Sequence, residues 1–176
     1  MNLYLRFLGF LLSLPFTKFR KDSFTASTTF RVWPQDCDLN GHLTNSRYLA
    51  FGDLARMYAT AEFGLVKTVL KNKYMIVVQS QEITYIRPIA PFAKFEMKTE
   101  FIYADEKYFY AYHQFIVKGK VMANALVRGA FLQKKKVIPM TEVLKKGNFP
   151  LAIPSEPSIV NSWKEHLRDK KKWREE

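Results

Sequence analysis

"SRYLAFGDLARMYATAEFGLVKTVLK", residues 46–71, carries Tyr48, Phe51, Leu54, Ala55, Tyr58, Ala61 and Leu65 at spacings of three and four. That period is helical, and the apolar stripe is wide enough to be largely buried. Asn45 or Ser46 is the expected N-cap. After this helix the period drops to two. Residues 75–89, 94–105, 107–118 and 121–133 read as four long strands, joined at Pro88 and Pro91, at "ADEK" and at "KGK". In 94–101 the alternation sets Phe95, Met97, Thr99 and Phe101 on one face and Lys94, Glu96, Lys98 and Glu100 on the other. This suits an antiparallel sheet with one covered face and one wet face. Upstream, "TASTTFRVW" (25–33) is β-branched and aromatic and reads as a further strand. The order strand, buried helix, four strands predicts an α+β fold: one antiparallel five-stranded sheet wrapped around one long central helix. The exposed edges of such a sheet are commonly protected by pairing with a second copy.

Around this body, 1–22 is an apolar N-terminal segment, 23–140 the folded domain, and 141–176 an extension ending in a charged helix. The 176 residues are 48% apolar and 15% aromatic, which makes the chain globular rather than disordered. Its formal charge of +12 invites a nucleic-acid reading. Much of that charge lies in "KFRK" (18–21), "KKK" (134–136) and "RDKKKWR" (168–174), and no zinc finger, RNP signature or helix-turn-helix accompanies it. Solvated surface is the simpler account, and no nucleic-acid partner is expected. A single cysteine, Cys37, excludes an intrachain disulfide and suits a reducing compartment. Its two aspartate neighbours oppose thiolate formation, so it reads as a filler rather than a nucleophile.

The opening "MNLYLRFLGFLLSLPF" is interrupted by Arg6 and closed by Pro15, short of the roughly 20 residues that a spanning helix needs. It lacks a charged start and a cleavage site, so export is a poor match. Lys18, Arg20 and Lys21 follow it. The expectation is a helix resting on the inner membrane interface through residues 1–21, or packed on the domain, in a cytoplasmic protein.

Between the first strand and the helix lies "DCDLNGHLTN", residues 36–45. Unpaired N–H groups at a helix start favour negative charge, so a carbonyl that becomes an oxyanion is stabilised there. A carboxylate just upstream, Asp36 or Asp38, can attack that carbonyl or activate water beside it. The chemistry this suits is acyl transfer to water. A plain Asx-rich turn is the competing account. A calcium loop is excluded, because it needs a glutamate six residues after the glycine and position 47 is Arg.

"DCDLNGHLTNSRYLAFGDLAR" resembles the signature of hotdog-fold acyl-CoA thioesterases of the 4-hydroxybenzoyl-CoA thioesterase group, at Asp36, Asp38, Gly41, His42, Asn45, Tyr48, Asp53 and Arg56. It departs at Thr44, where that family often has an asparagine. "ITYIRPI" is similar to the family's Tyr-x-Arg-Pro segment at Tyr85, Arg87 and Pro88. The resemblance covers about residues 25–140. It implies a hotdog fold, a homodimer or homotetramer, and hydrolysis of an acyl-CoA thioester with neither metal nor organic cofactor. It also implies that Asp38 is nucleophile or general base and that a backbone N–H near Asn45 polarises the carbonyl. Asp36 is expected to be structural. His42 either orients the loop, bonds substrate, or is simply a packed, hydrogen-bonded residue. Gly41, Tyr48, Asp53, Tyr85 and Arg87 are the candidate substrate-binding residues, with Asp53 and Glu62 as reserve carboxylates. Arg87 is the candidate for the coenzyme A phosphates. A hydratase or dehydratase of the same fold, and a non-catalytic acyl-CoA-binding or membrane scaffold protein, are the alternatives.

Overall fold

The computed structural model describes residues 2–20, 22–150 and 152–175. In chain order it has α1 (Asn2–Ser13), β1 (Thr25–Arg31), α2 (Asn45–Glu62), α3 (Val66–Lys71), β2 (Met75–Tyr85), β3 (Lys94–Ala104), β4 (Phe109–Val117), β5 (Lys120–Gln133), β6 (Lys136–Ile138), α4 (Met140–Lys146) and α5 (Ser158–Glu175). The five long strands lie in the order β1-β3-β4-β5-β2, every neighbouring pair antiparallel. They curl around α2, whose Tyr48, Phe51, Leu54 and Ala55 pack with Phe95, Met97 and Phe115 from the sheet. The α+β architecture expected from the change of period is the one observed.

Three local details differ from the sequence reading. The helix anticipated over 46–71 breaks in two at Gly64, whose φ of +68° ends α2 before α3 begins. The N-cap of α2 is Thr44 rather than Asn45 or Ser46. It is extended because its N–H donates to the Asp36 carbonyl and ties it to the preceding loop. A sixth strand, β6, pairs with the end of β5, so that Phe131 lies opposite Ile138. Because β2 holds one side of β5 there, β6 lies on the side that β4 leaves vacant beyond Phe109.

The outer face of the sheet is not wet throughout. Val160 and Trp163 of α5 are buried against Tyr110 and Leu126. Lys164 locks α5 in place by pairing with Glu156 at 2.8 Å and Asp105 at 3.5 Å while its ammonium lies 5.0 Å from the Tyr103 ring centre. At the opposite end of the chain, Phe10 of α1 is buried and meets Tyr58 of α2 edge to face. No described helix is long and apolar enough to cross a membrane.

A buried polar array lies beneath the sheet. His113 on β4 is 1% exposed, with Thr99 Oγ1 3.0 Å from its Nδ1 and Arg56 Nη1 3.2 Å from its Nε2. Guanidinium only donates, so Nε2 accepts, and Nδ1 carries the proton that Thr99 receives. Burial, with the Arg56 charge second, pushes the imidazole down from 6.5 to about 3. The unfolded chain therefore binds the extra proton between those values, and stability falls as pH drops through that window. Between pH 6.5 and 5 the loss is about 2 kcal/mol, at about 1.4 kcal/mol per pH unit. Urea melts at both pH values should show that difference in the native protein and a smaller one in His113→Gln.

Candidate active site

The loop before α2 is built around Asp36, which is 1% exposed. Its Oδ2 accepts from the Trp33 N–H at 3.0 Å and from Arg6 Nη2 of α1 at 2.6 Å, and Arg47 Nε lies 3.6 Å from Oδ1. The structural part expected of Asp36 matches this geometry. The partner Arg6 is new: in the sequence it was only an interruption of an apolar run. Its guanidinium also rests 4.4 Å from the Phe51 ring centre, so α1 is pinned at once to the loop and to α2.

Past Asp36 the chain turns tightly. The Asp38 N–H donates to the His42 carbonyl at 2.9 Å, Cys37 bridges to Leu43, and the Gly41 N–H returns to the Asp38 carbonyl. Gly41 has φ +71°, where a side chain would be strained. Asp38 is exposed, and its Oδ1 accepts from the Asn40 N–H at 2.9 Å, an Asx turn that fixes the carboxylate's rotation. His42 is also exposed, so the packed-histidine reading does not describe it. Cys37 is pushed up by burial first and by Asp36 and Asp38 next, which keeps it a thiol.

These groups open onto a cleft of about 290 Å³ lined by Asp38, His42, Asn45, Tyr48, Tyr85 and Arg87, among others. Asn45 is the first residue of α2, and Thr44 makes no side-chain capping bond over it. Tyr48 is 2% exposed and meets Tyr85 edge to face at 5.0 Å. Burial holds its phenol up at about 12, so it remains protonated. The Tyr85 hydroxyl donates to the Asn45 carbonyl at 3.4 Å. Arg87 Nη1 donates to the Val121 carbonyl at 3.1 Å, leaving the guanidinium exposed at the cleft's rim.

The cleft therefore gathers six of the candidates, with Gly41 in the turn beside them, but not all of them. Asp53 lies two turns along α2, outside the cleft lining, and pairs with Arg56. Glu62 is further still, about 25 Å from Asn45 at 1.5 Å per residue. Its carboxyl is raised by burial, against the Arg20 charge. The Arg56–His113–Thr99 array went unread in the sequence, although His113 occupies an inward position of a strand whose alternation was plain. Among the described residues no three His, Cys, Asp or Glu side chains gather into a metal-binding group.

A family model for the thioesterase-like superfamily matches residues 32–147, from just after β1 to just past the end of α4. The chain belongs to the thioesterase-like superfamily. Protein THEM6 of Danio rerio is 32% identical over 120 residues, 61% of this chain and 59% of that protein. Protein THEM6 of Drosophila melanogaster is 28% identical over 149 residues, 82% of this chain and 75% of that protein. Among solved structures, a probable thioesterase from Bartonella henselae superimposes with a TM-score of 0.60 at 22% identity, over 65% of this chain and 98% of that one. The shared architecture is the hotdog fold. In this superfamily member the match leaves out α1 and β1 at one end and α5 at the other.

Proposed function

We propose that the protein is an acyl-CoA thioesterase that converts a thioester and water into a free acid and coenzyme A, with no cofactor. The observation that carries this reading is one cleft holding both Asp38, its carboxylate fixed by Asn40, and the start of α2 at Asn45. The thioester carbonyl oxygen sits against the helix-start N–H groups, which stabilise the charge it gains. Asp38 then either attacks the carbonyl carbon, forming an anhydride that water cleaves, or takes a proton from the attacking water. In both routes the C–S bond breaks and coenzyme A leaves as the thiolate. Arg87 at the rim receives phosphate charge, Tyr48 and Tyr85 wall the cleft, and Gly41 sets the turn that positions Asp38. His42, exposed on the same wall, is within the cleft to bond substrate. Asp53 serves this cleft only from a second copy. The test is release of free thiol by the purified protein from a panel of aliphatic and aromatic acyl-CoAs. Turnover of any member supports the reading, and silence across the panel in folded protein overturns it.

The protein acts as a homodimer in this reading. β2 is the sheet's last strand, eleven residues long, with Met75, Ile76, Val78 and Tyr85 exposed along a free edge. It also rests on an anionic membrane surface. α1 turns Tyr4, Leu5, Leu8 and Leu12 outward, with Phe16, Phe19, Lys18 and Arg20 following. Native protein should co-sediment with vesicles containing anionic lipid, and a Leu5→Asp, Leu8→Asp variant should stay in the supernatant; equal partition would refute the contact.

A further inference from the structure

The cleft accounts for the thioester and the coenzyme A end of the substrate, but polar and apolar side chains share its open walls, and an acyl chain needs somewhere dry. Among the described residues, a recess walled almost wholly by hydrocarbon lies under α1. Between α1, α2, α3 and β2 is a recess of about 240 Å³ lined by Phe7, Leu11, Met57, Val69, Leu70 and Ile76, among others, with Thr60 its sole polar side chain. Thr60 and Ile76 also line a smaller cavity that passes between α2 and the sheet towards Arg56. Leu14 and Val66 are shared with a second recess of about 320 Å³ behind the turn that follows α1. The three spaces adjoin through these shared residues, which marks out a largely apolar path from α1 towards the core.

Within one copy the path and the Asp38 cleft are far apart. Ile76 and Tyr85 stand at opposite ends of β2, nine residues and about 30 Å apart at 3.4 Å per residue. Pairing two copies antiparallel through β2, with the two-fold near Ser80, sets Ile76 of one copy beside the Tyr85 end of the other. We propose that the groove beneath α1 receives the acyl chain of a thioester held in the partner copy's cleft, and that the substrate is a medium- or long-chain aliphatic acyl-CoA. This rests on the thioesterase and dimer readings above. α1 lies outside the matched family region, whereas Met57, Val69, Leu70 and Ile76 on the other walls lie within it. One face of α1 meets lipid in this arrangement and the other encloses the chain.

S-alkyl-CoA thioethers test this without catalysis, because they cannot be hydrolysed. Butyl, octyl and dodecyl forms are titrated into the full-length protein by calorimetry, with sedimentation velocity on the same samples. Affinity should rise about fourfold for each methylene until the groove is full, roughly 250-fold from butyl to octyl. Leu11→Trp and Leu70→Trp both start from exposed side chains on opposite walls, so folding tolerates them. Each should flatten the dependence on chain length while the dimer persists. Three outcomes overturn the proposal: no chain-length dependence in the native protein, a slope that survives both tryptophans, or tryptophan variants that fall to monomers, which would give the groove to the second copy instead. Failure of the acyl-CoA panel would sink the thioesterase reading separately, since thioether affinity does not depend on turnover.

Discussion

Replacing Asp38 with Asn is expected to lower thioester hydrolysis by at least a hundredfold while leaving the fold intact. Loss of a positioned base costs about 10²–10⁴ in rate. Asn retains the oxygen that accepts from the Asn40 N–H, so the Asx turn survives. Asp38 is exposed and carries no ion pair among the described residues, so its stability contribution is small. Two measurements separate the outcomes: thiol release against a substrate the native protein turns over, and a thermal melt of the same sample. A variant with native activity removes Asp38 from the chemistry. A variant that melts early shows the loop to be fragile, and the activity loss then says nothing of the carboxylate.

Asp36→Ala should behave in the opposite way, as a structural lesion that takes activity with it. The carboxylate is buried and serves the Trp33 N–H, Arg6 and Arg47 together. Removing one side of a buried ion pair costs about 3–5 kcal/mol, because the remaining charge keeps its desolvation penalty. Part of this is discounted, since Arg47 is more exposed than Arg6, and about 3 kcal/mol is expected. For a domain of this size that lowers Tm by about 6–12 °C. The melt should also reveal detachment of α1, since Arg6 is its charged anchor. Limited proteolysis cutting first within residues 2–20 would report it. A Tm within 2 °C of native, on the order of a neutral surface substitution, would show that the ion pair is dispensable.

Much of this was legible in the chain because burial writes itself as period. The inward set Phe95, Met97, Thr99 and Phe101 is buried in the observed β3, as the alternation demanded. The spacing in α2 likewise named Tyr48, Phe51, Leu54 and Ala55 as its buried side. What period does not encode is the local backbone. Gly64 could continue a helix or end one, and only the packing of α3 decides. Thr44 becomes the N-cap because its N–H reaches the Asp36 carbonyl, a bond invisible to propensity. The site was legible wherever residues close in sequence are close in space, as in the 36–45 turn. It was illegible where partners are remote: Arg6 with Asp36 across 30 positions, Arg56 with His113 across 57. The C-terminal helix was seen, but its seat on Tyr110 and Leu126 was not, since Val160 and Trp163 alone do not say which face they cover.

The run of three lysines at 134–136 can now be understood as insulation. Lys134 and Lys135 form the two-residue turn between β5 and β6 with φ of +49° and +67°, left-handed conformations that glycine or asparagine adopts more readily. Such a choice costs about 1–2 kcal/mol per residue. In return, the short end of the sheet, where β6 offers its outer edge, is ringed by like charge. Two molecules meeting there repel before their backbones can pair. Part of the chain's +12 is thus placed where like charge opposes edge-to-edge pairing of sheets.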